Sequence, residues 1–196
     1  MENRKDRLKN AICNNDIDFF KKHKEQYSIN ERFEDEEGDT LLLYSISFPN
    51  STIYDFFLNN GAEIELKNDE GEGILHAIVY SGIKDRLVEF LANYSVDLNT
   101  VTNEGVTPLL LSIALNHFDM AYVLLQHGAD ATIGDLDGVT PLHIAVQHTD
   151  VDLVKYLVEK GADLWAKTAK GNYPLALAVN AKQEEVVRFL YPLLYE

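Results

Sequence analysis

The sequence has little cysteine, few basic residues and no long apolar run. Cys13 is the only cysteine among 196 residues, so an intrachain disulfide and a cysteine-based zinc cluster are both excluded. The charged N-terminus, MENRKDRLKN, has no apolar segment behind it of the kind that a secretory signal needs. No stretch approaches the roughly 18 uninterrupted apolar residues of a membrane span. We therefore expect a cytoplasmic protein.

The charge balance is strongly acidic. Lysine and arginine number 17 against 32 aspartates and glutamates, which gives a formal net charge of −15 at pH 7. Such a chain is a poor match for a nucleic-acid backbone or an anionic membrane surface, so we expect neither as a partner. The acidity favours a basic protein partner, although the need for solubility alone explains the same charge. Apolar residues make up 46% of the chain, enough to fill a core and to exclude a disordered chain.

One ten-residue pattern recurs along most of the chain. DGVTPLHIAV at 137–146 has a close copy in EGVTPLLLSI at 104–113 and weaker copies in EGDTLLLYSI, EGEGILHAIV and KGNYPLALAV. A second landmark follows each of three copies, as NNGAEI, QHGADA and EKGADL. The turn glycines lie 33, 34, 33 and 33 residues apart, at Gly38, Gly71, Gly105, Gly138 and Gly171. A fixed period of this length is typical of a repeat array.

Each copy has the residues of a short helix pair. Thr140 can cap a first helix, and Pro141 suits the first helical position, where no backbone N–H is needed. Residues 149 and 150, Thr-Asp, can cap a second helix, and Gly161 supplies a left-handed stop. Two helices this short bury too little surface alone, so each repeat must pack against its neighbours.

The period, the TPLHIA sequence and the GAD motif together resemble the ankyrin repeat over residues 38–196. The resemblance implies an all-α solenoid in which a helix–turn–helix and a projecting β-hairpin loop form every repeat. We expect one ankyrin-repeat domain over 1–196 with about six repeats. They are a divergent N-terminal cap at 1–37, internal repeats at 38–70, 71–104, 105–137 and 138–170, and a C-terminal cap at 171–196.

Two segments depart from the repeat pattern. Tyr94 replaces the helix-stop glycine, so we expect a left-handed tyrosine and local distortion at 93–97. The C-terminal FLYPLLYE is apolar where a capping repeat should be polar. Leu193, Leu194 and Tyr195 either fold back over the last helices, which we favour in a monomeric protein, or form a self-association surface.

The histidines and short motifs give little support for catalysis. His76 and His143 share one repeat position, and the resemblance implies that this histidine hydrogen-bonds the backbone of adjoining turns. No GxxxxGK[ST] phosphate loop or GxSxG elbow occurs, and the histidines lack the spacing for a shared metal. We expect no enzyme activity, cofactor or metal. The alternative is an enzyme, or a protein that binds a metal or small molecule, with its site in the concave groove.

Candidate partner-binding residues follow from the resemblance, because ankyrin solenoids usually bind through the hairpin tips and the concave face of the first helices. The tip positions are Glu36, Glu37, Asp39, Asp69, Glu70, Glu72, Glu104, Leu136, Asp137 and Val139. The groove positions are Phe48, Tyr80, Leu115, Gln147 and His148. The larger groove residues are expected to form one stripe, unless Phe48 and Leu115 are buried between helices. The acidic residues concentrate in the first two tips, so we expect a basic partner there.

The sequence thus predicts a non-enzymatic protein-binding module. An adaptor, an inhibitor or immunity protein, and a secreted effector all remain open as roles, because a fold does not determine a function.

Overall fold

The computed structural model describes residues 3–35, 37–48, 52–148 and 150–195. In these ranges the chain forms twelve α-helices and one 3-10 turn, Lys24–Gln26. The helices are α1 Arg4–Cys13, α2 Ile17–Lys22, α3 Leu41–Ile46, α4 Ile53–Asn59, α5 Ile74–Ser81, α6 Lys84–Asn93, α7 Pro108–Ala114, α8 Phe118–Gln126, α9 Pro141–Ala145, α10 Val151–Glu159, α11 Pro174–Asn180 and α12 Glu184–Tyr195. The predicted all-α class is confirmed.

The helices belong to two compact units, Met1–Arg86 and Leu87–Glu196. In the first unit α1 packs against α2, and α3 packs against both α4 and α5. In the second unit the first helices of successive repeats, α7, α9 and α11, pack in order, and each also packs against its own second helix. The repeat boundaries and the single domain expected from the sequence stay predictions.

The helices begin where the sequence predicts. Thr107 caps α7, since its hydroxyl accepts the N–H of Leu110 at 3.1 Å, and Pro108 occupies the start of the helix. Asp150 caps α10 by accepting the N–H of Leu153 at 3.0 Å. Thr149, the other proposed cap, lies outside the described residues.

The projecting loops are tight turns rather than strand pairs. The backbone N–H groups that close them donate to a carbonyl four residues later at 2.9 to 3.1 Å, from Asn68, Thr102, Asp135 and Thr168. The part of the chain that the structure describes contains only one isolated β-bridge, between Arg32 and Thr40. Gly138 has a φ of +72°, and an added Cβ would lie 3.0 Å from the backbone oxygen of Lys167. The loops therefore form hairpin turns, as the fold class predicts, and these turns carry no regular β-strands in the described chain.

The expected left-handed conformation of Tyr94 is wrong. Its N–H donates to the carbonyl of Phe90 at 2.9 Å, and its ring stacks on the Phe90 ring at 4.9 Å. Non-glycine residues with positive φ occur elsewhere in the described chain, at Asn15, Asn116 and Lys182. The chain leaves α6 without a left-handed residue, at the point where this repeat has one extra residue.

The expected fold-back of the C-terminus is also wrong. The segment continues α12 to Tyr195, and the side chains of Leu193 and Tyr195 are exposed. Pro192 lies in the last turn of the helix, so its missing N–H removes one helical hydrogen bond without reversing the chain.

An acidic loop anchors the first helix. The Oδ2 atom of Asp35 lies 2.7 Å from the Nζ of Lys9 and 3.1 Å from that of Lys5. Burial alone would raise the pKa of Asp35, but hydrogen bonds from Lys9 and Lys5 outweigh it and lower the pKa to about 2. The ionised carboxylate is thus stabilised in the folded state.

Replacing Asp35 by Asn is expected to lower the free energy of unfolding at neutral pH by about 1–2 kcal/mol. The folded pKa lies below the unfolded value of 3.8, so this stabilisation is present above that pH and is lost as the pH falls toward 2. Urea denaturation of both proteins at pH 7 and pH 3 measures the effect. The matched control is Asp18→Asn, since Asp18 is largely exposed and lies 3.7 Å from Lys21. Equal losses in the two variants would contradict the account.

Candidate functional site

A cavity of about 350 Å³ lies beside the first two hairpin tips, in the first unit. Its ionisable side chains are all acidic, and an exposed tyrosine and several small or apolar side chains complete its wall. The lining residues are Glu37, Asp39, Leu43, Ser47, Asn68, Glu70, Glu72, Gly73, Ala77 and Tyr80. We call this cavity the acidic pocket.

Asn68 holds the acidic residues of the two tips in place. Its Nδ2 donates to Asp39 Oδ1 at 3.1 Å and to Glu72 Oε2 at 2.9 Å. Its Oδ1 accepts the backbone N–H groups of Glu70 and Glu72 at 3.1 and 2.9 Å. The backbone also joins the tips, because the N–H of Asp69 donates to the carbonyl of Glu37 at 3.0 Å. One buried amide therefore fixes two carboxylates on the same wall.

Sequence reasoning missed Asn68, although a signal for it existed. The equivalent positions in later repeats carry side chains that also accept an N–H four residues on: Thr102 from Val106 at 3.2 Å, and Thr168 from Asn172 at 3.2 Å. A column of turn-forming Asn, Thr and Asp side chains thus recurs at the repeat period. Asn differs from the others because its side-chain NH2 group has two donors beside the acceptor oxygen, whereas a threonine hydroxyl has one donor and an ionised aspartate has none.

The carboxylates of the acidic pocket create a negative potential, which raises the pKa of one of them. Burial raises the pKa of Asp39, and the nearby charges of Glu37, Glu72 and Asp35 raise it further, while the hydrogen bond from Asn68 partly opposes the rise. A cation brought to this wall would relieve the repulsion between these carboxylates. The site is therefore suited to a positively charged group.

The predicted tip residue Asp69 does not line the acidic pocket. Its carboxylate pairs with Arg32 at 3.3 Å, and a Cβ added at Gly38 would clash with it. The side chain of Asp69 therefore packs over the first tip. Glu36 lies outside the described residues.

The predicted stripe of large groove residues combines two registers. Tyr80 lies in the same repeat register as Ser47, Ala114 and Gln147, and all four are exposed. Phe48, Leu115 and His148 belong to the next register, which lies past the C-terminal ends of α3, α7 and α9. Phe48 accordingly packs against Tyr44 with ring centroids 5.4 Å apart, and His148 lies 5.4 Å from Phe118. Among the stripe residues, Tyr80 is the one that lines the acidic pocket.

The tips of the second unit are less acidic. The N–H of Leu136 donates to the carbonyl of Glu104 at 3.0 Å, and the Leu136 side chain is 79% exposed. Asp137 is exposed beside it, and Val139 and Leu115 are partly exposed. The side-chain amide of Gln147 donates to the carbonyl of His143 at 2.9 Å. These residues form an exposed surface of mixed character.

His143 joins two turns and is not available for acid–base chemistry. Its Nδ1 accepts from the N–H and the hydroxyl of Thr140 at 3.1 and 2.8 Å. Its Nε2 donates to the carbonyl of Asn172 at 3.1 Å, so both ring nitrogens are engaged in a fully buried ring. His76 is buried in the same way and accepts the N–H of Gly73 at 3.3 Å.

Over the described ranges, no group of three or more His, Cys, Asp and Glu side chains is placed to hold a metal ion. Over the same residues, no helix has both the length and the apolar character needed to cross a membrane.

Helix pairs at a fixed period, joined by tight turns, define a helical repeat protein whose exposed tips carry its candidate binding residues. The family model for ankyrin repeats matches residues 42–135 and 131–194. The chain therefore belongs to the ankyrin repeat family, as the sequence predicts. Ankyrin repeats generally mediate protein–protein interaction.

Relatives come from viruses and from a bacterium. The ankyrin repeat protein FPV034 of Fowlpox virus is 29% identical over 64% of this chain and 29% of its own length. A second Fowlpox virus protein, FPV031, is 30% identical over 46% of this chain and 28% of its own length. The phosphocholine transferase AnkX of Legionella pneumophila is 31% identical over 49% of this chain and 10% of its own length. The chain thus matches less than a third of each of these relatives.

Proposed function

We propose that the protein is a non-enzymatic interaction module whose acidic pocket binds a basic segment of a protein partner. The acidic pocket supports this proposal, because four carboxylate side chains and an exposed tyrosine line one cavity of about 350 Å³. This volume lies at the lower end of the range for small-ligand sites. It suits one long side chain of a partner, with further contacts at the rim.

A lysine or arginine of the partner is the side chain that fits this chemistry. Asp39 and Glu72, both held by Asn68, would accept hydrogen bonds from its charged group. The aliphatic part of the same side chain would pack against Tyr80 and Leu43. Because Asn68 fixes the carboxylates before binding, little side-chain entropy is lost at that wall.

Association with a basic partner would be fast and sensitive to salt, since the chain has a net charge of −15. Binding a cation would also lower the raised pKa of Asp39, so complex formation would release protons over the pH range in which Asp39 titrates in the free protein. Affinity is expected to increase as the pH rises through the pKa that Asp39 has in the free protein.

Replacing Tyr80 by Ala is expected to weaken binding of a short lysine-rich peptide about tenfold, because the lysine stem loses its aromatic contact. Fluorescence anisotropy with a labelled peptide of alternating lysine and serine measures the affinity. A peptide with glutamine in place of lysine should bind far more weakly. The matched control is Tyr191→Ala, which removes an equally exposed tyrosine from the second unit.

Equal affinity for the lysine and glutamine peptides would overturn the electrostatic basis of the proposal. If the two tyrosine replacements weaken binding equally, the acidic pocket is not the binding site. Whether the module acts as an adaptor, an inhibitor or immunity protein, or an effector is a separate question, and its cytoplasmic location stays a prediction.

A further inference from the structure

The final helix pair, α11 and α12, exposes a column of residues that the other repeats bury. The repeat position of Val179 holds apolar residues that are each 0% exposed in the four preceding copies: Ile46, Val79, Ile113 and Val146. Val179 itself is 54% exposed. A side chain of the core type therefore lies on the surface here.

The second helix of the pair shows the same change. Val154 is fully buried in α10, whereas Val187, one period later, is partly exposed in α12. Val179 and Val187 line a cavity of about 360 Å³ together with Lys182, Glu184 and Arg188. We call this surface the terminal face.

The terminal face has the shape needed to pack against another helix pair. In the second unit the helix columns that hold Val146 and Val154 are buried where α9 packs against α11 and α10 packs against α12. The same columns are exposed at Val179 and Val187. A surface built for helix-on-helix packing is therefore available to a partner with the same architecture.

The charge of this region indicates which kind of partner binds to it. Residues 174–195 contain two basic residues, Lys182 and Arg188, and two acidic residues, Glu184 and Glu185, so their formal charge is zero. The whole chain has a charge of −15, so two copies repel one another over most of their surface but not here. The basic partner proposed for the acidic pocket finds no excess negative charge on this face.

We propose that a second copy of this chain binds to the terminal face across a two-fold axis, independently of the proposed function. Glu184 and Arg188 lie one helical turn apart at the rim of the cavity. A two-fold axis between antiparallel α12 helices places Glu184 of each copy opposite Arg188 of the other. The apolar residues Val179 and Val187 are then buried at the centre.

Sedimentation velocity over concentrations from about 1 to 300 µM tests this proposal, since mass action converts monomer to dimer over such a range. The 196-residue chain is expected to dimerise, and Val179→Lys is expected to raise the dissociation constant at least tenfold. The matched control is Leu136→Lys, which makes the same charge change at a highly exposed position on a hairpin tip. Circular dichroism melting checks that both variants fold.

A charge exchange makes the test specific to the two-fold arrangement. Glu184→Lys and Arg188→Glu should each prevent self-association, because like charges then face one another. An equimolar mixture of the two variants should form a heterodimer, since both contacts across the axis become attractive. A monomer at every concentration, a mixture that does not associate, or equal effects of Val179→Lys and Leu136→Lys would overturn the proposal.

Discussion

Replacing His143 by Ala is expected to lower the free energy of unfolding by about 3 kcal/mol or more. The change leaves a cavity at a fully buried position and removes the acceptor for the N–H of Thr140. It also removes one of two donors to the carbonyl of Asn172, which retains the N–H of Thr168 at 3.0 Å. Urea denaturation at pH 7.5, followed by circular dichroism, measures the loss.

His143→Leu separates packing from hydrogen bonding, since leucine occupies this position in other repeats at Leu43 and Leu110. We expect it to cost about 1–2 kcal/mol, because the volume is kept and the hydrogen bonds are lost. The control is His148→Ala, which changes a half-buried ring and should cost less than 1 kcal/mol. Equal losses for His143→Ala and His148→Ala would contradict the role given to His143.

The same histidine makes stability depend on pH. Burial lowers the pKa of His143 below its usual 6.5, so the unfolded chain takes up the proton first. Its contribution is therefore complete above pH 6.5 and decreases as the pH falls toward the folded pKa. The difference between the wild type and His143→Leu should shrink over that interval.

Reversing three charges of the acidic pocket is expected to have a large effect on peptide affinity. The triple variant Glu37→Lys, Glu70→Lys and Glu72→Lys is expected to weaken binding of the lysine–serine peptide about a hundredfold at low salt, because attraction becomes repulsion at three points. Much of the difference should disappear at high salt, where these exposed charges are screened. Anisotropy titrations at two ionic strengths measure both effects.

The control for the triple variant has the same change in net charge at other sites. Glu25, Glu89 and Glu159 are exposed glutamates on helices outside the acidic pocket, and all three become lysine. If this variant weakens binding as much as the pocket variant does, then the net charge of the chain, rather than the pocket, determines affinity.

The sequence predicted the family and the helix starts because both depend on local chemistry repeated at a fixed period. Thr107, Pro108 and Asp150 cap or begin helices as expected, and Gly161 has a positive φ of +91° at the end of α10. The role of His143 followed from the family resemblance, and the structure gives it both expected hydrogen bonds. Each of these features depends only on a few neighbouring residues or on a residue one repeat further along the chain.

The site was predicted less well because it depends on contacts between repeats. Asp69 has the same residue type and tip position as the pocket acids, but its ion pair with Arg32 is not visible in the sequence. The stripe combined Tyr80 with Phe48 because a shift of one residue changes little in a sequence, although Tyr80 lies within α5 and Phe48 lies beyond the end of α3. The exposure of Val179 likewise depends on what packs against it, since the sequence marks it as a core residue.

The two proposed interactions involve different units of the chain, with the acidic pocket in the first unit and the terminal face in the second. The first combines buried amide chemistry with acidic charge, and we assign it to a basic segment of another protein. The second is apolar at its centre and neutral overall, and we assign it to a second copy. Because the two surfaces share no residues, a variant that abolishes one interaction should leave the other unchanged.

Mapping the bound lysine–serine peptide by NMR shows directly whether the acidic pocket is the binding site. In titrations of isotope-labelled protein, we expect the largest backbone amide shifts at residues 37–39, 68–73 and 77–80, which surround the acidic pocket. The shifts should saturate with one affinity and weaken with added salt. Largest shifts at the tips of the second unit, around Leu136 and Asp137, or equal small shifts over the whole acidic surface, would contradict the account.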